Sequence, residues 1–214
     1  MKYWLFSIFT AVIAYGAGSL STMVIASNFI FRTNLRRLGG ADRWLSNFRR
    51  VYGVKGFLKL AMVELVKDAL PVIIGGRLFA SGGNAEVGRA LAVFCLMMGR
   101  MYPSVYGFRG SYATAALCVG ALFMSFSVGA MVLLVCVLVS WLTRYVSLGT
   151  LTGGIVLSIA GVLVIDNALA VRLCFFITAL VLVRTIGALA RIYSGKEPRL
   201  NFARDISYKF DEKI

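Results

Sequence analysis

The sequence predicts an all-α polytopic membrane helix bundle of about seven transmembrane helices, and three observations carry that prediction. Of 214 residues, 59% are hydrophobic and 15% charged, where a soluble domain carries about 25% charged residues. The apolar residues come in long runs, as bilayer-spanning helices require. Of the 23 Lys and Arg, against 9 Asp and Glu, 15 gather beside those runs in residues 32–59 and 184–213. Such juxtamembrane basic segments mark the cytoplasmic side and meet anionic lipid heads, so the partner expected is membrane lipid and not nucleic acid.

Residues 5–31 form the first span. A lysine precedes it, but the apolar stretch outruns a signal h-region and has no clear cleavage site, so it reads as a retained helix. Its small residues Gly16, Gly18, Ser19 and Ser21 suit close helix approach. Residues 32–52 follow as a basic loop, expected to be partly helical at the interface. Arg32, Arg36, Arg37, Arg43, Arg49 and Arg50 stand there against the single acid Asp42.

The second span, 56–79, carries Lys59, Glu64, Lys67 and Asp68 in its first half. Positions 64, 67 and 68 share one helical face. Charges at membrane depth face a bundle interior or water, so these three are expected to point inward, toward Arg100 or Arg109. They read either as a structural Glu64–Lys67 ion pair or as a face lining a polar cavity. A loop at 80–87 leads to a short third span, 88–98.

Residues 99–114, GRMYPSVYGFRGSYAT, form a Gly- and aromatic-rich loop between apolar runs. Irregular backbone near a bilayer is tolerated where it is buried in protein or lines a wet cavity, which makes this loop the first candidate for a site. Spans at 115–126, 129–142, 151–165 and 171–183 complete the set, although 115–142 can also be read as one long helix. From Arg184 the chain turns polar. The expected organisation is a seven-helix domain over 1–193 and a charged cytoplasmic tail over 194–214. Alternation puts loops 32–52, 99–112 and 143–148 with the tail on the basic, cytoplasmic side and the N-terminus outside.

There are no histidines, which excludes Ser-His and Cys-His nucleophile pairs and imidazole bases. Cys95, Cys118, Cys136 and Cys174 lie in apolar runs without CxxC spacing and read as small buried hydrophobes. No metal and no cofactor is expected.

Five motifs occur in order. Gly18-Ser19-Leu20-Ser21 lies in the first span, and Glu64, Lys67, Asp68 and Pro71 in the second. Gly99, Pro103, Phe108 and Gly110 mark the central loop. Residues 142–148 read LTRYVSL, and Gly195-Lys196-Glu197-Pro198 opens the tail. Over residues 5–200 this series resembles the acyl-phosphate:glycerol-3-phosphate acyltransferase family, PlsY: bacterial inner-membrane enzymes with seven helices and three cytoplasmic motifs. The departures are as informative. Where the family has G-S-G-N-x-G-A-T-N, residues 39–47 read GGADRWLSN. Where it has K-G-G-K-G-V-A-T, residues 109–114 read RGSYAT, two residues shorter. Where it has R-H-R-x-N-I-x-R, residues 184–191 read RTIGALAR. The family histidine of G-H-x-x-P is Arg100 here.

The resemblance implies transfer of an acyl group from acyl phosphate to the 1-hydroxyl of glycerol 3-phosphate. It maps degenerate catalytic positions onto Arg100, Arg109, Thr185 and Ala188. It maps phosphate or lipid-phosphate binding onto Ser46, Asn47, Arg50, Arg100, Arg109, Arg184 and Arg191. The lost lysine, histidine and glycine cradle favour a divergent, non-catalytic member that binds lipid or serves as an accessory or assembly subunit beside another integral membrane protein. The alternative is an active acyltransferase making lysophosphatidic acid through an arginine-substituted site, since guanidinium binds phosphate oxygens bidentately. Acyl phosphate and glycerol 3-phosphate are partners on that alternative alone. The implied location is the bacterial inner membrane, multi-pass.

Overall fold

The computed structural model describes residues 2–20, 22, 44–108 and 110–195. These residues form seven α-helices and one 3-10 turn. They are α1 (Lys2–Ser19), α2 (Trp44–Ala80), α3 (Ala85–Met101), the turn Ser104–Tyr106, α4 (Thr114–Met124), α5 (Phe126–Thr143), α6 (Val146–Val164) and α7 (Ala168–Tyr193). Most of the 32–52 loop, Arg109 and the tail beyond residue 195 lie outside the described residues.

The protein is an all-helical integral membrane protein, and each apolar run of the sequence holds one helix. The 115–142 run is two helices. Ser125 adopts an extended conformation (φ −152°, ψ 126°), and its N–H closes α4 on the Ala121 carbonyl. The chain then reverses, and Gly129 lets α5 return against α4, because a Cβ there would strike the Leu122 Cα.

Two helices outrun their apolar cores. α2 has 37 residues, about 55 Å at 1.5 Å per residue, against a hydrocarbon layer of about 30 Å. α7 continues past Val183 to Tyr193, so Arg184 to Arg191 are helical. Arg, Leu and Ala are strong helix formers, and the first stop is Gly195, at φ 66°. Pro71 lies inside α2. It has no N–H to give the Lys67 carbonyl one turn earlier.

α3 is the centre of the bundle. Ala90, Ala92, Val93, Leu96 and Met97 are fully buried, enclosed by α1, α2, α4 and α7. Two glycine pairs bring backbones into contact. A Cβ at Gly18 of α1 would strike the Leu96 carbonyl, and one at Gly99 the Tyr15 carbonyl. A Cβ at Gly88 would strike the Gly75 carbonyl, so α2 meets α3 in the same way. This is the small-residue packing that replaces hydrophobic drive between helices in lipid. α6 and α7 are joined by buried hydroxyls: Ser158 and Thr178 lie 2.6 Å apart, and Ser158 donates to the Cys174 carbonyl at 3.3 Å.

The outer surface is apolar, with Trp4, Phe126 and Leu163 largely exposed. By length and composition α5, α6 and α7 can each cross a membrane. Up-and-down alternation gathers the C-termini of α1, α3, α5 and α7 with the loop 102–113 at one end of the bundle. At the other end Asn84, Glu86 and Asn167 are stitched together. The Asn167 side chain caps α7 by accepting from the Leu169 N–H at 3.0 Å, while its own N–H donates to Glu86 Oε2 at 3.3 Å.

Candidate functional site

The loop after α3 is held from several directions. Tyr15 of α1 donates its hydroxyl to the Tyr102 carbonyl at 2.9 Å, across 87 positions of sequence. Gly110 passes so close to α3 that a Cβ would strike the carbonyls of Arg100 and Met101. Gly107, Phe108 and Ala113 all have positive φ, a conformation uncommon outside glycine. The loop thereby folds back beneath the bundle before α4 begins.

α7 meets this loop with one face. Arg184, Gly187 and Arg191 follow at intervals of three and four, so they stack on one side of the helix. Arg184 donates to the Gly110 carbonyl, and its guanidinium carbon lies 5.9 Å from the centre of the Tyr102 ring, within cation–π range. Arg191 donates to the Tyr112 hydroxyl. Between them Gly187 has no side chain, and the result is a cleft of about 260 Å³ lined by Tyr102, Tyr112, Val183, Arg184, Gly187 and Arg191. The Arg184 Nε is buried and has no hydrogen-bond partner among the described residues. A buried donor left unmade costs about 1–3 kcal/mol. The cleft offers guanidinium, phenol and an open helix face, the donor set for a phosphoryl group.

The other sequence-predicted residues divide. Arg100 turns away from the cleft into the bundle, where it pairs with Glu64 and comes within 3.9 Å of Asp68. Lys67 pairs with Asp68 at 3.3 Å and donates to the Leu20 carbonyl at 3.1 Å. The Asp68 side chain is fully buried and that of Glu64 nearly so. Two acids and two bases thus form a neutral cluster joining α1, α2 and α3. Thr185 points inward, donating to the Val181 carbonyl at 2.7 Å, and Ala188 is fully buried; neither reaches the cleft. Ser46, Asn47 and Arg50 lie on the first turns of α2, but their side chains, and all of Arg109, lie outside the described residues.

Tyr102 and Tyr112 belong to the aromatic-rich loop that the sequence marks as the first candidate for a site, whereas Tyr15, inside an apolar span, carries no such signal. The Arg-x-x-Gly-x-x-x-Arg spacing of 184–191 could have disclosed a helical face built around a gap. Among the described residues no three Cys, Asp or Glu side chains converge as a metal site would need.

The family model described as glycerol-3-phosphate acyltransferase matches residues 8–195. The glycerol-3-phosphate acyltransferase of Finegoldia magna is 27% identical over 199 residues, 92% of this chain and 98% of that one. That of Clostridioides difficile is 29% identical over 196 residues, 90% of this chain and 95% of that one. The fold is similar to the crystal structure of PlsY, an integral membrane glycerol 3-phosphate acyltransferase, in its glycerol 3-phosphate form. The TM-score is 0.71 at 23% identity, covering 91% of this chain and 96% of that one.

Proposed function

The chain belongs to the glycerol-3-phosphate acyltransferase family, and on that premise we propose that it is a membrane acyltransferase whose Arg184–Arg191 cleft holds the phosphate of glycerol 3-phosphate. The observation that carries this reading is the buried, unpartnered Arg184 Nε beside a second arginine and two phenols. The family names of its relatives support it. Two arginines stacked on α7 replace a glycine-lined backbone cradle with a side-chain one. They are fastened by Gly110 and Tyr112, which limits the entropy their long stems would lose on binding.

In the reaction the hydroxyl oxygen of glycerol 3-phosphate attacks the carbonyl carbon of acyl phosphate. The bond from that carbon to the phosphate oxygen breaks, and the departing phosphate takes up the hydroxyl proton. The products are lysophosphatidic acid and phosphate. The chain's contribution is to position the two anions and to stabilise the charge that develops. The test is conversion of acyl phosphate and labelled glycerol 3-phosphate by purified protein in nanodiscs. Turnover on the order of one per second is expected, and absence of product would overturn this reading.

A second reading is favoured by the inward turn of Arg100, Thr185 and Ala188. On it the cleft binds a lipid phosphate without acyl transfer, and the protein acts as an accessory subunit of another membrane protein. Lysophosphatidic acid retained by protein that makes none of it would establish that alternative.

The proposed location is a bacterial plasma membrane, with the cleft end in the cytoplasm and the N-terminus outside. Support comes from the basic segments 32–59 and 184–213, which mark a cytoplasmic side. A cysteine placed at Asn84 is expected to react with an impermeant thiol reagent added outside. Labelling only from the cytoplasmic side would reverse the topology.

A further inference from the structure

At the end of the bundle opposite the Arg184–Arg191 cleft, a second basic cleft of about 280 Å³ opens between the last turns of α2 and the first turns of α3. Arg77 and Arg89 enter it, with Ala85, Ile73 and Phe123 completing the wall. Arg89 is laid across Gly76, where a Cβ would come within 2.8 Å of the Arg89 Cγ, and it donates to the Met124 carbonyl at 2.9 Å. That bond to the last turn of α4 fixes its guanidinium in place. Arg77 is exposed in the last turn of α2.

Among the described residues the ion pairs are those of the Glu64–Asp68–Lys67–Arg100 cluster, so neither arginine of this cleft has a carboxylate against it. The nearest acid in sequence, Glu86, turns to the α6–α7 connection and accepts from the Asn167 N–H. Ala85 is the first residue of α3, and the open N–H groups of a first helical turn add positive potential there. The feature is thus a pair of cations without a counter-ion, beside an apolar wall of Ile73 and Phe123, in a protein surrounded by lipid.

We propose that this cleft binds the phosphate of an anionic phospholipid, with its headgroup on Arg77 and Arg89 and an acyl chain along Ile73 and Phe123. The apolar wall favours a lipid over a free phosphate ion, because only a lipid would use it. The site is independent of the Arg184–Arg191 cleft, from which it is separated by the length of the bundle. It would tie the protein to the lipid composition of the leaflet away from its reaction.

The test is titration of phosphatidylglycerol into the full chain in phosphatidylcholine nanodiscs, with bound lipid counted by native mass spectrometry. Arg77→Gln, an exposed position that leaves the Arg89–Met124 bond intact, is expected to weaken one lipid-binding event about tenfold, the loss of one charge-assisted contact. Arg77→Lys should retain part of it. Inorganic phosphate at the same concentration should displace nothing. Unchanged phosphatidylglycerol binding in Arg77→Gln would overturn the proposal, and so would displacement of the lipid by inorganic phosphate.

Discussion

Arg100→Ala is expected to destabilise the folded bundle by about 3–5 kcal/mol, the range for removing one partner of a buried ion pair. Arg100 answers Glu64 and approaches Asp68, and both carboxylates are buried. Lys67 alone would be left to answer two acids, and its ammonium also serves the Leu20 carbonyl. The damage should reach the cleft, because Arg100 closes α3 just where Tyr102 and Gly110 are positioned. Arg100→Lys should recover part of the stability and not all, since a point charge cannot reach two carboxylates as a planar fork can. Unfolding in detergent followed by tryptophan fluorescence is the measurement. If Arg100→Ala melts like the unaltered protein, the cluster is not what joins α1, α2 and α3. The double variant Glu64→Gln, Arg100→Gln should be less damaged than Arg100→Ala, because it removes the uncompensated carboxylate along with the cation and leaves Asp68 to Lys67.

Arg184→Ala is the second large effect, and its readout is kinetic. It removes the donor with the buried, unpartnered Nε, the cation over Tyr102 and the tie to Gly110. Loss of one preorganised donor to developing charge typically costs about 10²–10³ in kcat, and that loss is expected here in kcat/KM for glycerol 3-phosphate. Arg184→Lys should keep the charge but lose the two-pronged geometry, leaving activity between the two. Arg191→Ala should fall mainly on KM, because Arg191 lies at the rim and is the more exposed of the pair. A kcat/KM for Arg184→Ala within a few-fold of the unaltered protein would remove this cleft from the reaction.

Much of the fold was legible because a bilayer enforces it. Seven apolar runs match the seven helices of the described residues, and Ser125 was the one ambiguous joint. The ends of α2 and α7 were not legible, because arginines and lysines interrupt the hydropathy pattern without interrupting the helix. The site was legible in part. Arg184 and Arg191 stand at the ends of a recognisable motif, and their common face follows from helical spacing. That Glu64 and Asp68 would turn inward toward Arg100 or Arg109 followed from their shared helical face; that Arg100 meets them and so leaves the cleft depends on the crossing of α2 over α3, which no local pattern encodes. The Tyr15–Tyr102 bond spans 87 positions and belongs to the same class.

The enclosure of α3 has a consequence for how the chain enters the membrane. α3 has 17 residues and carries Glu86, Arg89 and Arg100. A charge near the centre of a lone helix disfavours insertion by about 2.5–3.5 kcal/mol, and less toward its ends. α5, α6 and α7 can leave the translocation machinery singly, since each is long and apolar. α3 gains its place only against Gly18 of α1 and Gly75 of α2, with Arg100 already answered by Glu64. The first three helices therefore enter lipid as one body, and a nascent chain halted before α3 is complete leaves Glu64 of α2 without its cation.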